Sequence, residues 1–161
     1  DARNQASLLG NNLFWQVGIK KFSSNPLFDL TRFYELVLFS FITGNGDMHL
    51  KNFSLFNDPK IGWKLAPGYD LLNTRLVIPE EKDPDELALT LTGKKSNYNP
   101  KSFDEFGIII GLNSKQIQNI KVGLFSKRNT FLQTIENSFL SDEMKQLYKI
   151  IMEKRFRVLQ K

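Results

Sequence analysis

The residues best suited to chemistry crowd into one polar loop, residues 43–54 (TGNGDMHLKNFS). An apolar helical pattern precedes this loop and an apolar strand-like run follows it. In phosphoryl transfer an Asp accepts the proton of the substrate hydroxyl, and an Asn five residues on binds a metal ion from the same loop. Asp47 and Asn52 have that spacing. The same template requires a second metal-binding Asp after a short hairpin, and Asp70 occupies such a position.

Each of these three residues also has a purely structural interpretation. Asp47 could cap a turn beside Gly46, and Asp70 could cap a turn that begins at Leu71. Asn52 could bond to the backbone of its own loop. For Asp47 alone the turn would be the favoured interpretation, but the joint presence of Asn52 and Asp70 favours phosphoryl transfer.

Three segments of the chain resemble a known family, the HipA-type serine/threonine kinases of bacterial toxin–antitoxin systems. They are residues 44–54 (GNGDMHLKNFS), residues 64–71 (KLAPGYDL) and residues 87–95 (LALTLTGKK). Motifs in this order and at this separation are far more specific than a lone D-x-x-x-x-N. The resemblance covers nearly all of residues 1–161, as the C-terminal lobe of such a kinase.

The resemblance implies a mechanism based on positioning and electrostatics. Asp47 would deprotonate a seryl or threonyl hydroxyl, while Asn52 and Asp70 would hold Mg²⁺ across the phosphates of ATP. Two protein ligands suffice, because Mg²⁺ keeps several waters and also binds the phosphates. The residues implied to line the nucleotide are His49, Leu50, Lys51, Asn52, Tyr69 and Asp70.

Three of these residues, His49, Lys51 and Tyr69, have alternative roles that the sequence alone leaves open. A lone His is more often structural than a ligand, and without Cys or a second His no imidazole-rich metal site can form. The family pattern includes this His, so we assign it to the nucleotide site. Lys51 either places positive charge near the phosphates or pairs with a neighbouring carboxylate. Tyr69 is expected to pack under the nucleotide or the loop.

The partners and setting also follow from the resemblance. It implies a protein substrate such as an aminoacyl-tRNA synthetase, a HipB-like helix-turn-helix antitoxin, contact with DNA only through that antitoxin, and a cytoplasmic location. The N-terminal lobe that covers ATP is expected to be absent, because only about 40 residues precede the loop and no Gly-rich phosphate motif is present. We expect a part of a longer protein, inactive when isolated. Alternatively, the missing lobe belongs to another chain.

Other classes of function remain as alternatives. A non-catalytic pseudokinase lobe that binds an antitoxin or DNA would explain the basic last helix, although retention of Asp47, Asn52 and Asp70 argues against it. Aminoglycoside- or choline-type kinases share the Asp and Asn spacing but usually place a His before the Asp, whereas His49 follows it here. A nucleic-acid-binding protein is the weakest alternative, since no binding motif accompanies the charge.

Length and composition limit the classes of protein to which the chain can belong. The 161 residues suffice for one ordinary domain with its own core. The chain has no Cys, which excludes disulfides and thiolate metal sites. No apolar run is long enough to cross a bilayer and no secretory signal is evident. The net charge is +5, and the Lys and Arg residues are scattered among acidic residues, which is typical of solvated helical faces.

The elements expected to position the loop are mainly helical, with small β-hairpins. Apolar spacing predicts helices over 6–22, with Leu9, Leu13, Val17 and Phe22 in register, and from Asp29 as N-cap to the glycines of the loop. Asp58-Pro59 and Gly62 predict a hairpin that pairs residues 53–56 with 63–65.

Further elements are predicted beyond Asp70. They are short strands at 75–78 and 87–92, an exposed and mobile acidic loop at 79–86, a helix from a capping box at 102–105 to Gly111, a long helix from Asn113 or Ser114 to about Phe139, and a last helix from Ser141-Asp142. Ile117, Ile120, Leu124, Phe131 and Ile135 are expected to form the inner face of the long helix.

Overall fold

The computed structural model describes residues 16–160, and this part of the chain is mainly helical with one small antiparallel sheet. The predicted fold class is therefore confirmed. In chain order the elements are α1 (described residues 16–22), α2 (Pro26–Thr43), β1 (Leu55–Asp58), β2 (Gly62–Leu65), α3 (Pro100–Ile110), α4 (Ser114–Ser126), α5 (Arg128–Glu136) and α6 (Asp142–Gln160), with 3-10 helices at Leu50–Asn52 and Thr74–Leu76.

Helix α2 is the centre of the core. It packs against α3, α4, α6 and β2, which explains why apolar residues occupy most of its circumference. Aromatic side chains join it to its neighbours: the ring of Phe33 lies 4.8 Å from Phe53 beside the hairpin, and that of Phe41 lies 4.7 Å from Phe103 on α3. The α2 residues buried in this core are Leu30, Phe33, Tyr34, Val37, Leu38, Phe41 and Ile42.

The start of α2 differs from the prediction. Asn25 is the N-cap and Pro26 opens the helix, a position where the missing N–H of proline costs nothing. Asp29 instead lies within the first turn and is 1% exposed. Its Oδ2 accepts hydrogen bonds from Ser23 Oγ at 2.6 Å and from the backbone N–H of Leu65 at 2.9 Å. Asp29 therefore links α2 to the hairpin instead of capping the helix.

The predicted hairpin is confirmed, with a register that pairs Leu55 with Leu65 and Asp58 with Gly62. Asp58 Oδ1 accepts from the backbone N–H groups of Lys60 and Ile61, which closes the turn. Gly62 has φ 87°, a conformation that favours glycine. The hairpin carries the chain from the polar loop back toward the same end of the molecule.

The two strands predicted after Asp70 are wrong. Residues 75–78 begin within the 3-10 helix Thr74–Leu76, and residues 87–92 form no strand beyond a single bridge between Leu91 and Lys94. The alternation that suggested a strand is nevertheless real, because Leu87, Leu89 and Leu91 are all buried.

The acidic loop at 79–86 is largely exposed, as predicted, but ion pairs connect it to α6. Glu80 contacts Lys154 at 2.8 Å, and Glu86 pairs with the buried Arg155. Arg75 donates to two backbone carbonyls of the loop, those of Asp83 and Asp85.

The C-terminal helices are in the predicted places with two corrections. Helix α3 ends at Gly111 as predicted, but it begins at Pro100, since the capping box joins Asn99 and Ser102 instead of Ser102 and Glu105. The predicted long helix is two helices that meet at Lys127, whose ψ of 1° ends α4. Its predicted inner face is confirmed, because all five residues are buried or half-buried against the core.

At the N-terminal end, residues 16–22 are helical as predicted, and residues 6–15, with Leu9 and Leu13, lie outside the described residues. Ile19 faces the core, whereas Val17 and Phe22 are exposed. Between residues 16 and 160, no helix is long and apolar enough to cross a membrane.

Candidate active site

The site begins where α2 ends. Gly44 has φ 73° and its N–H bonds to the carbonyls of Ser40 and Phe41, which is the left-handed cap that a glycine allows. The next N–H, from Asn45, donates to Ser40 O at 2.9 Å. The N–H of Gly46 then donates to Thr74 Oγ1 at 2.9 Å. The turn before Asp47 is thus fixed both to α2 and to the segment after Asp70.

Asp47 lies at the tip of this turn with its carboxylate in solvent, the side chain being 61% exposed. The neighbouring Met48 is 1% exposed and anchors the loop in the core. The backbone carbonyl of Asp47 accepts from the N–H of His49 at 2.8 Å and from Asn52 Nδ2 at 3.2 Å. The carboxylate of Asp47 is therefore exposed, while hydrogen bonds fix the backbone that carries it.

Asn52 and Asp70 are in direct contact, with 3.1 Å between Asn52 Nδ2 and Asp70 Oδ2. The hairpin brings these two side chains together, and Asn52 Nδ2 also bonds to the backbone carbonyl of Asp47. Asn52 is buried in the 3-10 helix Leu50–Asn52, whereas Asp70 is exposed. Asp70 also has φ 56°, a left-handed conformation that costs energy for a non-glycine residue and clusters at functional sites.

His49 lies beside Asp47, with 3.9 Å between His49 Nε2 and Asp47 Oδ1. Its other ring nitrogen, Nδ1, is buried and has no hydrogen-bond partner among the described residues. Buried polar atoms in folded proteins are almost always bonded. An orphaned nitrogen at this point is the kind of atom that a bound ligand would satisfy.

Tyr69 and Lys51 connect the two halves of the site. The hydroxyl of Tyr69 donates to the backbone carbonyl of Lys51 at 2.9 Å, so the residue before Asp70 is bonded to the residue before Asn52. The side chain of Lys51 is exposed, and the partly buried Leu50 packs against the core. All the residues assigned to the site from sequence therefore lie on two adjoining segments.

The donor set suits a magnesium ion held jointly with phosphates. Within residues 16–160 no three His, Cys, Asp or Glu side chains form a metal cluster. Asn52 and Asp70 offer one amide oxygen and one carboxylate, the hard ligands that Mg²⁺ prefers. Both hydrogen bonds of Asn52 described above use Nδ2, so Oδ1 is the atom that would turn to a cation.

Two residues of the site were not singled out from the sequence. Asn45 is 1% exposed and bonds to both Asp47 and Asp70. Thr74 Oγ1 accepts from Gly46 and donates to Gly44 O at 3.2 Å. The Asn45-Gly46 pair carried a local signal, because Asn before a turn often accepts from the N–H two residues on, but nothing local pointed to Thr74.

A helical lobe whose glycine-flanked loop carries Asp47 and Asn52, with Asp70 returned to them by a hairpin, defines a kinase-like C-terminal lobe. Comparison with known families makes this specific. The model of the HipA-like C-terminal domain matches residues 17–139, and the chain belongs to that family.

Two relatives of the chain are named as putative kinases. The chain is 42% identical over 67 residues to "Putative kinase Y4dM" of Sinorhizobium fredii, which covers 42% of this chain and 16% of that protein. It is 27% identical over 136 residues to a "Putative kinase" of Haemophilus influenzae, covering 76% and 40% of the two chains.

A fold match comes from the complex of the toxin–antitoxin proteins HipA and HipB with operator DNA from Shewanella oneidensis MR-1. One chain of that complex superposes with a TM-score of 0.73 at 21% identity, over 90% of this chain and 35% of the other. The chain thus spans less than half the length of each of these proteins.

Proposed function

We propose that this chain is the catalytic C-terminal part of an ATP- and Mg²⁺-dependent serine/threonine protein kinase of a toxin–antitoxin system. The observation that carries the proposal is the contact of 3.1 Å between Asn52 Nδ2 and Asp70 Oδ2, beside the exposed carboxylate of Asp47. Three residues from two segments meet at one mouth, in the roles that phosphoryl transfer requires.

Asp47 acts as the general base in this proposal. Its carboxylate is exposed, so a seryl or threonyl hydroxyl can approach to the hydrogen-bond distance that proton transfer needs. The hydrogen bonds to its backbone carbonyl fix the backbone from which that carboxylate projects relative to Asn52. A base held in this way supplies orientation as well as proton acceptance.

Asn52 and Asp70 would hold the metal, and the neighbouring residues would line the nucleotide. Bound Mg²⁺ would neutralise negative charge on the transferring phosphoryl group. The exposed Lys51, next to Asn52 in the chain, would add positive charge near the phosphates, and the orphaned Nδ1 of His49 is available to a ligand. Leu50 and Tyr69 complete the lining.

The wider setting is proposed from the relatives. The fold match was determined with an antitoxin and operator DNA, which supports a HipB-like antitoxin as partner and DNA contact through it. We propose that the protein is cytoplasmic and that its substrate is another protein, for which an aminoacyl-tRNA synthetase is the candidate. The part that covers ATP would come from sequence outside this chain, so phosphate transfer is a property of the whole protein.

The test is transfer of ³²P from ATP by the full-length protein. We expect Asp47→Ala to lower kcat by about 10²–10⁴-fold, the usual contribution of a general base, and Asp70→Ala to be comparably inactive. The double variant should be hardly worse than either single one, because base and metal act as a unit. His49→Ala should lose less.

Asp142→Ala is the matched control, since it removes an exposed carboxylate from the first turn of α6, outside the site. It should leave transfer unchanged. Full activity of Asp47→Ala would refute the proposal. Wild-type protein that binds an antitoxin but transfers no phosphate would favour the pseudokinase alternative instead.

A further inference from the structure

Asn45 is a buried polar residue at the junction of the two halves of the site. Its 1% exposure is typical of a core residue, although the side chain is a carboxamide. Its backbone N–H donates to Ser40 O at 2.9 Å, so the residue is fixed to the last turn of α2. A buried amide is stable only when its donors and acceptors are bonded.

The carboxamide of Asn45 spans the proposed base and the proposed metal ligand. Its Oδ1 accepts from the backbone N–H of Asp47 at 3.1 Å, and its Nδ2 donates to the backbone carbonyl of Asp70 at 3.3 Å. One planar group therefore fixes the distance between two residues that lie far apart in the sequence.

Asn52 makes the complementary connection. Its Nδ2 donates to the backbone carbonyl of Asp47 and to the carboxylate of Asp70. The peptide of Asp47 is therefore held on its N–H side by Asn45 and on its carbonyl side by Asn52. Asp70 is likewise held at its backbone by Asn45 and at its side chain by Asn52.

Asp70 needs such restraint more than most residues. Its φ of 56° lies in the left-handed region, which is strained for a non-glycine residue and persists only where the surrounding structure holds it. The bond from Asn45 to the carbonyl of Asp70 acts directly on this backbone. Without it, the carboxylate could turn away from Asn52.

We propose that Asn45 is a positioning residue that sets the separation of Asp47 and Asp70 for phosphoryl transfer. The inference rests on the proposed function and deepens it. Alanine offers neither bond, aspartate keeps the acceptor toward Asp47 but loses the donor toward Asp70, and glutamine is one methylene too long for the same span. Asparagine is the residue whose geometry matches both partners.

The experiment compares Asn45→Ala and Asn45→Asp with wild type in the full-length protein, by steady-state ³²P transfer at varied Mg²⁺. Residues that orient metal ligands typically contribute 10–100-fold to metal affinity or activity. We expect Asn45→Ala to lower kcat and raise the half-saturating Mg²⁺ concentration, each by about that factor, with the KM of the protein substrate unchanged. Asn45→Asp should show the same rise in the half-saturating Mg²⁺ concentration, because it also lacks the donor toward Asp70.

Asn25→Ala is the matched control. It removes an Asn side chain that caps α2 at the other end of its 18 residues, a distance of about 27 Å. It should lower stability without changing the Mg²⁺ requirement. A similar kinetic loss in Asn25→Ala would show that Asn45→Ala acts only by lowering stability, and it would overturn the inference.

The outcomes separate this inference from the function beneath it. Suppose that Asp70→Ala is inactive while Asn45→Ala stays within twofold of wild type in kcat and in Mg²⁺ dependence. That result would leave the proposed function standing and reject the positioning role. Wild-type protein with no transfer would reject both. If Asn45→Ala does not fold, Asn45→Asp decides alone, and an unchanged Mg²⁺ requirement in it rejects the inference.

Discussion

At the scale of single residues, the site divides into exposed groups that would do chemistry and buried groups that hold them. Asp47, Lys51 and Asp70 reach solvent, whereas Asn45 and Asn52 are buried. The buried carboxamides bond to backbone atoms of the exposed residues. This arrangement lets solvent-facing side chains keep the fixed geometry that a reaction requires.

The role of Tyr69 can be tested by Tyr69→Phe, which keeps the ring but removes the bond to Lys51 O. A hydrogen bond contributes about 0.5–1.5 kcal/mol net, and Tyr69 is 41% exposed, so the free energy of unfolding should fall by less than about 1 kcal/mol. Amide hydrogen exchange at residues 49–52 should become faster, because a restraint on that 3-10 turn is lost.

Tyr98→Phe provides the contrast for this measurement. The hydroxyl of Tyr98 is buried and donates to the carbonyls of Leu89 and Lys94, away from the loop. Its loss should lower stability more than the loss of the Tyr69 hydroxyl, without changing local exchange at residues 49–52. Equal exchange rates in Tyr69→Phe and wild type would show that the bond to Lys51 does not restrain the loop.

At the scale of elements, the end of α2 determines where the loop begins. Gly44→Ala should move that end, because the added Cβ would lie 3.0 Å from Asn73 Oδ1 and 3.1 Å from Ile151 Cγ2 while φ stays at 73°. A left-handed conformation alone costs an L-residue about 1–2 kcal/mol. We expect a loss of at least that size in urea unfolding, together with reduced phosphate transfer.

Gly123→Ala is the control for Gly44→Ala. Gly123 lies within α4 with open space around the added Cβ, so alanine should stabilise the helix by about 0.5–1 kcal/mol. Gly44→Ala should therefore lower the free energy of unfolding, whereas Gly123→Ala should raise it. A neutral Gly44→Ala would mean that the turn before Asp47 tolerates another path.

The sequence predicted elements well where the pattern was local. The apolar run of α2, the Asp58-Pro59 turn and Gly111 all gave correct elements, since periodicity and turn chemistry act over a few residues. The strands at 75–78 and 87–92 failed because strand formation depends on a distant partner. Leu87, Leu89 and Leu91 alternate inward as a strand would, yet the backbone of Leu87 bonds to Lys95 O instead of to a neighbouring strand.

The break at Lys127 escaped prediction for a different reason. The pattern of apolar residues continues through it, and Ser126 and Lys127 give no strong stop signal. In the structure the break allows Phe125 of α4 and Phe131 of α5 to pack on the same ring, that of Phe156, at 5.6 and 6.2 Å. Tertiary packing, which a helical pattern does not encode, decides the helix boundary here.

At the scale of the whole molecule, polar contacts connect the loop to the last helix. The N–H of Arg75 donates to Gly44 O at 3.3 Å, and its guanidinium bonds to carbonyls of the acidic loop. That loop in turn pairs with Lys154 and Arg155 of α6. The convergence of Asp47, Asn52 and Asp70 was predictable from the hairpin, whereas this long-range support was not.

The central pair of that support is Arg155 with Glu86. Arg155 is 1% exposed, its guanidinium lies 4.7 Å from the ring of Phe41, and Glu86 is 15% exposed. Glu86 also accepts from the backbone N–H of Tyr98 at 3.1 Å. Both charges are therefore largely removed from water, and each relies on the other.

Arg155→Met should break this pair while keeping an unbranched side chain to pack on Phe41. Removal of one partner of a buried pair leaves an uncompensated charge, so we expect the free energy of unfolding in urea to fall by about 3–5 kcal/mol. Adding Glu86→Gln should recover part of the loss, because an amide oxygen at that position still accepts from Tyr98 without a charge. Lys149→Met, in the solvent-exposed pair with Glu136, is the control and should leave the urea midpoint nearly unchanged. If Arg155→Met unfolds at the wild-type midpoint, or if the double variant is no more stable than the single one, the pair does not hold the acidic loop to α6.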